Sequence, residues 1–195
     1  MKKINEIFYS IQGEGFHAGT PAVFIRFSGC NLHCSFCDTK HENGTFMSDT
    51  EIVNEVEKYP AKLVILTGGE PGLFITDKLI ELLHQIGKYV AVETNGTHPL
   101  PTSVDWVTLS PKDSFCPNAT IKLKRCDELK LVYNQQPEEV IEQYTSFPAG
   151  YYYLQPCDTG NNENNVLILQ DTVHYCLQHP QWNISIQLHK VLNVR

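Results

Sequence analysis

Three cysteines fall within eight residues, Cys30-Asn31-Leu32-His33-Cys34-Ser35-Phe36-Cys37, in the spacing C-x3-C-x2-C. A tight loop of this kind turns three sulfurs to one side, where their thiolates can converge on a single inorganic centre. Complete thiolate ligation of a 4Fe–4S cluster takes four cysteines, so three at this spacing leave one iron open to a ligand that is not protein. A structural zinc site of the Cys3His type is chemically available to the same residues. His33 lies inside the first gap, however, where reaching the metal of Cys30 and Cys34 is awkward. The other four cysteines, Cys116, Cys126, Cys157 and Cys176, stand apart in the sequence and read as small core or loop residues. The total of seven is odd. With no export segment at the N-terminus, that favours metal ligands and buried thiols over a disulfide set.

The elements that must position this loop follow from the periodicity. Short apolar runs bounded by Gly, Pro or Asn predict strands at 22–27, 63–67, 89–93, 106–109, 129–133, 151–154 and 184–188. Between them, Ser48-Asp49-Thr50-Glu51 is a capping box that opens a helix to about Tyr59. Residues 76–86 carry Leu79, Ile80, Leu82, Leu83 and Ile86 on one helical face. Residues 137–144 begin with proline in the first turn, and 164–178 carry Val166, Leu167, Leu169, Val173 and Leu177. Strand–helix alternation over nearly the whole chain predicts a parallel sheet with crossover helices. Helices are expected to be absent or very short between the third and fifth strands, and 195 residues are few for eight full units, which take about 250. The fold class expected is therefore α/β, an incomplete (β/α) barrel with reduced helices. It forms one domain over 1–195, and an N-terminal extension of about residues 1–20 is expected to make a hairpin around Gly13-Glu14-Gly15.

Composition narrows the classes of function. Of the residues, 42% are hydrophobic and 19% charged, with 12 Gly and 11 Pro; this is a globular chain, not a collagenous or disordered one. A net charge of -7 disfavours a nucleic-acid partner bound through a broad basic face. No stretch reaches the roughly 20 apolar residues of a membrane helix, and the N-terminus lacks the apolar run of a signal peptide. A cytoplasmic protein is expected, with neither nucleic acid nor membrane as partner.

Taken with Thr67-Gly68-Gly69-Glu70-Pro71, the cysteine loop resembles the signature of the radical S-adenosylmethionine (SAM) superfamily. Finer motifs resemble the 7-carboxy-7-deazaguanine synthases. They are Glu6 to Gly15, Pro21 to Leu32, Cys37-Asp38-Thr39, Glu93-Thr94-Asn95-Gly96, Ser110-Pro111-Lys112, Asp127-Glu128-Leu129-Lys130, Gln155-Pro156-Cys157-Asp158 and His189-Lys190-Val191-Leu192-Asn193. Most of them fall at the C-terminal ends of predicted strands, the rim where barrel sites form.

The resemblance implies a radical SAM type of barrel and an activity: conversion of 6-carboxy-5,6,7,8-tetrahydropterin to 7-carboxy-7-deazaguanine with loss of ammonia, on the path to 7-deazapurines such as preQ0 and queuosine. It implies a 4Fe–4S cluster on Cys30, Cys34 and Cys37, SAM on its open iron, and Mg2+ at Thr39. Ile11, Gln12, Gly13, Glu14, Arg26, Thr67, Glu93, His189 and Arg195 match positions that contact the substrate. Phe36, Gly69, Glu70, Ser110, Pro111, Lys112, Gln155, Pro156, Cys157 and Asp158 match positions on the SAM side. Bare glycines let backbone approach closely, and Glu70 with nearby carbonyls is expected to accept from the SAM ammonium. The implied partners are the pterin, an electron donor such as a flavodoxin or ferredoxin, and a second copy of the chain in a homodimer. The rival readings are a glycyl-radical-enzyme activase with the same cysteine spacing and a non-catalytic zinc-binding module.

Overall fold

The computed structural model describes residues 1–37, 39 and 43–194. The strands join one nine-stranded sheet: β1 (Lys2–Ile11), β2 (Pro21–Phe27), β3 (Thr45–Met47), β4 (Leu63–Gly68), β5 (Tyr89–Thr94), β6 (Trp106–Leu109), β7 (Cys126–Tyr133), β8 (Ala149–Pro156) and β9 (Trp182–Ile184). Their order is β3-β1-β2-β4-β5-β6-β7-β8-β9. From β2 to β9 every pairing is parallel, and β1 is antiparallel to both β2 and β3. The sheet is the incomplete barrel that the alternation predicts.

The helices are α1 (Asp49–Glu57), α2 (Asp77–Gln85), α3 (Glu138–Glu142), α4 (Asn162–Gln178) and α5 (Leu188–Leu192). The capping box at Ser48 and Glu51 forms as expected. Leu79, Ile80 and Leu83 of α2 are buried, and they pack with Ile52, Val53 and Val56 of α1 against Val23, Ile25 and Phe27 of β2. No helix separates β5, β6 and β7 among the described residues. None is long and apolar enough to cross a membrane.

Three expectations are corrected. The hairpin does not lie within residues 1–20: β1 pairs with β2 itself, Ile11 opposite Pro21, and 12–20 form the connection. The last strand ends at Ile184, because only Trp182, Asn183 and Ile184 find partners on β8; Leu188 then opens α5, its N–H donating to the Gly13 carbonyl at 2.9 Å. In α4 the apolar stripe is turned outward. Val166, Leu167, Leu169, Val173 and Leu177 are exposed, whereas Ile168, Thr172 and Tyr175 face the sheet.

Strand periodicity divides the barrel interior into two levels. Phe8, Ala22, Phe24, Leu63, Ile65 and Ala91 point inward and make an apolar floor, capped by Trp106. Two residues further along the same faces, Arg26, Thr67 and Glu93 make a polar upper level. The 12–20 connection closes the bottom, with Phe16 stacked on Trp106 at 4.7 Å and against Tyr151 at 4.5 Å. The open side of the barrel is closed by the two ends of the chain meeting, since Gly15 N–H donates to Ser185 Oγ at 3.0 Å beside the Gly13–Leu188 bond.

Candidate active site

Two cavities of about 220 and about 560 Å3 open at the upper level and share Glu14, Thr39, Thr67 and Glu93 in their walls. The smaller is lined by Cys30, Cys34 and Cys37 together with Gly68, Gly69 and the strand-end residues Ser110, Lys112, Gln155, Pro156, Cys157 and Asp158. Phe36 lies on its wall and packs edge-on to Phe115. The larger is lined by Ile11, Gln12, Gly13, Arg26 and His189. Residues expected on separate strand ends thus meet at one rim.

Backbone contact explains why the cysteine loop starts where it does. Gly69 N–H donates to Phe27 O at 3.0 Å and Glu70 N–H to Gly29 O at 2.9 Å, which fixes the end of β4 to the residues just before Cys30. A Cβ on Gly69 would drive into the Gly29 carbonyl, so the glycine serves this approach as well as any ligand's. Glu70 corrects an expectation. Its carboxylate is fully buried and accepts from Gly72 N–H at 2.7 Å, Thr94 Oγ1 at 2.6 Å and Asn95 N–H at 2.7 Å. It ties the β4 and β5 turns together and is not on the cavity wall. Pro111 is buried behind that wall.

Burial pushes the free Cys30 thiol up, and burial together with Cys116 pushes Cys34 up to about 12. Uncharged thiols are what this loop holds without a metal; thiolates there need a cationic centre to offset their desolvation. Among the described residues no three His, Cys, Asp or Glu side chains are gathered to hold one metal ion. Cys30, Cys34 and Cys37 line one cavity, the donor chemistry of a cluster held by three thiolates. Cys116 is not isolated as its sequence position suggests: its sulfur lies 3.6 Å from that of Cys34. Burial also lowers Lys112 to about 8.

In the larger cavity the acids are held by several elements at once. Glu93 accepts from Gln12 Nε2 and Thr67 Oγ1, both at 2.9 Å. Glu14 accepts from Lys130 Nζ at 2.5 Å and from Gln187 Nε2 at 3.0 Å. Burial alone would raise the Glu14 carboxyl, but the Lys130 ammonium, its hydrogen bond and that of Gln187 outweigh burial and bring it to about 2. Arg26 pairs with Glu6 at 3.0 Å and donates to Thr39 Oγ1 at 3.3 Å. His189 sits directly on Gly13: a Cβ there would collide with its imidazole and come within 2.9 Å of its backbone nitrogen. Gly13→Ala is therefore expected to push α5 off the cavity and weaken binding there by about tenfold or more, as loss of one positioned contact does; a titration of the variant checks it.

Arg195 lies outside the described residues. Lys130 and Gln187, by contrast, were not among the expected site residues. Lys130 does belong to the Asp127-Glu128-Leu129-Lys130 motif, and an inward lysine in an apolar strand could have marked it.

The chain matches the radical SAM superfamily over residues 24–112. It is 56% identical over 195 residues to the 7-carboxy-7-deazaguanine synthase of Bacteroides thetaiotaomicron, covering 100% of both chains. It is 37% identical to that of Burkholderia multivorans, covering 98% of each. A crystal structure of QueE from Escherichia coli superposes with a TM-score of 0.78 at 28% identity, over 96% of this chain and 94% of that one. Membership of the superfamily implies a 4Fe–4S cluster and SAM, which the thiol-lined cavity fits. The chain is a radical SAM enzyme, a lyase, and it belongs to the 7-carboxy-7-deazaguanine synthase family.

Proposed function

We propose that this enzyme converts 6-carboxy-5,6,7,8-tetrahydropterin to 7-carboxy-7-deazaguanine, releasing one ammonia and nothing else, within 7-deazapurine biosynthesis in the cytoplasm. The observation that carries the reading is the shared wall: the thiol-lined cavity and the acid-lined cavity meet at Glu14, Thr39, Thr67 and Glu93. When bound, the cluster and SAM supply one-electron cleavage chemistry and removal of hydrogen from the substrate's C6.

The chain's own residues bind, orient and exclude water. Glu14 and Glu93 suit the donor edge of an aminopyrimidinone, and Gln12, Thr67 and the backbone of Ile11 and Gly13 fix its register. Arg26 suits the carboxylate. His189, on the wall of the larger cavity, closes over the ring. Phe36, on the wall of the thiol-lined cavity, would carry the adenine of SAM, and Gly69, the Ser110–Pro111–Lys112 turn and the Gln155–Pro156–Cys157–Asp158 turn would hold the rest of the cofactor. Mg2+ takes hard oxygen ligands, which Thr39 and the substrate carboxylate would provide. Thr39→Ala is expected to weaken the dependence of turnover on Mg2+ while leaving the cluster's visible absorbance intact; an unchanged Mg2+ response would count against Thr39 as a ligand.

A homodimer accords with the outward apolar face of α4, and a flavodoxin or ferredoxin would supply the electron. The assay is anaerobic incubation of the reconstituted protein with the pterin, SAM, Mg2+ and reductant, followed by mass spectrometry. Formation of the deazapurine and of stoichiometric ammonia is expected. A protein that consumes SAM yet leaves the pterin intact would refute the proposal.

A further inference from the structure

Lys130 has no part in the activity as described so far, yet it occupies the centre of the acid-lined level. It points inward from β7 with 7% of its side chain exposed, 2.5 Å from Glu14 Oε2 and 3.6 Å from Glu93 Oε1. Glu14 arrives on the 12–20 connection and Glu93 on β5, two segments joined by the Gln12–Glu93 hydrogen bond and, among the described residues, by no ion pair other than those through Lys130. We infer that Lys130 is a positioning residue, which holds Glu14 and Glu93 together as a fixed pair of anionic acceptors for the donor edge of the substrate. This rests on the substrate reading above.

The physical argument is one of charge and of lone pairs. Glu14, Glu93 and Glu128 all act on Lys130. Without a cation among them, like charges in a poorly solvated cavity drive one carboxylate to take up a proton. A protonated carboxyl donates where an aminopyrimidinone N–H needs an acceptor. With the cation in place, both acids face a positive charge and not only each other. Each carboxylate has about four lone-pair sites, and each spends only part of them: Glu14 on Lys130 and Gln187, Glu93 on Gln12, Thr67 and the distant edge of Lys130. Capacity toward the cavity remains on both.

The test uses anaerobic holoenzyme with SAM bound and no reductant, so that pterin binding is read by calorimetry without turnover. Lys130→Met is expected to weaken pterin affinity by about 10- to 100-fold, the range for a displaced charge-assisted bond. Iron content should be unchanged, and SAM affinity should fall less than pterin affinity, since Lys130 also lines the thiol-side cavity. Lys130→Arg should recover most of the affinity.

Removing a buried cation can prevent folding, so Lys130→Met/Glu128→Gln, which keeps the net charge of the interior, is measured alongside and should show the same loss. Unimpaired pterin affinity in the folded variants, or an equal loss of SAM affinity, would overturn the positioning role while wild-type turnover of the pterin stands. A wild-type holoenzyme that neither binds nor converts the pterin would overturn the functional reading and this inference with it.

Discussion

Cys34→Ala is expected to abolish reductive cleavage of SAM altogether, with iron and sulfide falling well below wild type after anaerobic reconstitution. Two thiolates from this loop cannot hold a cluster that normally takes three or four. A spare thiol, Cys116, lies 3.6 Å from the Cys34 sulfur, so a double variant Cys34→Ala/Cys116→Ala closes that substitute route. The fold should survive, because Cys34 is half-exposed on a loop and takes no part in the two large apolar cores. Wild-type SAM cleavage by either variant would remove Cys34 from the ligand set.

Glu93→Gln is expected to give the largest loss among the substrate-side changes. The substitution keeps the shape and discards the charge. Its new amide N–H2 faces the Gln12 amide or the Thr67 hydroxyl, both of which now donate to the carboxylate at 2.9 Å, and it leaves Lys130 with one carboxylate fewer. A charge-assisted hydrogen bond contributes about 1.5–3 kcal/mol, or about 10- to 100-fold. Because the three partners act together, a fall in kcat/KM at or above the top of that range is expected. Substrate-free cleavage of SAM should continue, since the cysteines, Ser110 and Lys112 are untouched. Steady-state kinetics with the pterin and a parallel count of 5′-deoxyadenosine separate the two effects.

Much of this site was legible before any coordinates because its chemistry sits at strand ends. Thr67, Glu93, Ser110 and Gln155 close short apolar runs, and a parallel sheet brings such ends to one rim. What local pattern could not supply is contact across the barrel. Glu70 looked like a ligand beside two glycines, but only the β4–β5 neighbourhood shows that Gly72, Thr94 and Asn95 occupy its carboxylate. Lys130 reads as an ordinary strand residue until Glu14 arrives from the other end of the chain. Cys116 is 82 residues from Cys34, a separation at which spacing carries no information. The α4 stripe misleads for a related reason. Periodicity shows that an apolar face exists without showing which side of the helix meets the sheet.

The most direct measurement follows a single atom between the two cavities. With the pterin carrying deuterium at C6, anaerobic turnover should place that deuterium on the 5′ carbon of the adenosyl group, in recovered SAM as well as in any 5′-deoxyadenosine, because loss of ammonia alone is redox-neutral and the hydrogen atom taken from C6 has to be replaced by one returned from that carbon. Unlabelled SAM and 5′-deoxyadenosine alongside a consumed pterin, once the substrate's label is shown to be retained elsewhere, would contradict the account.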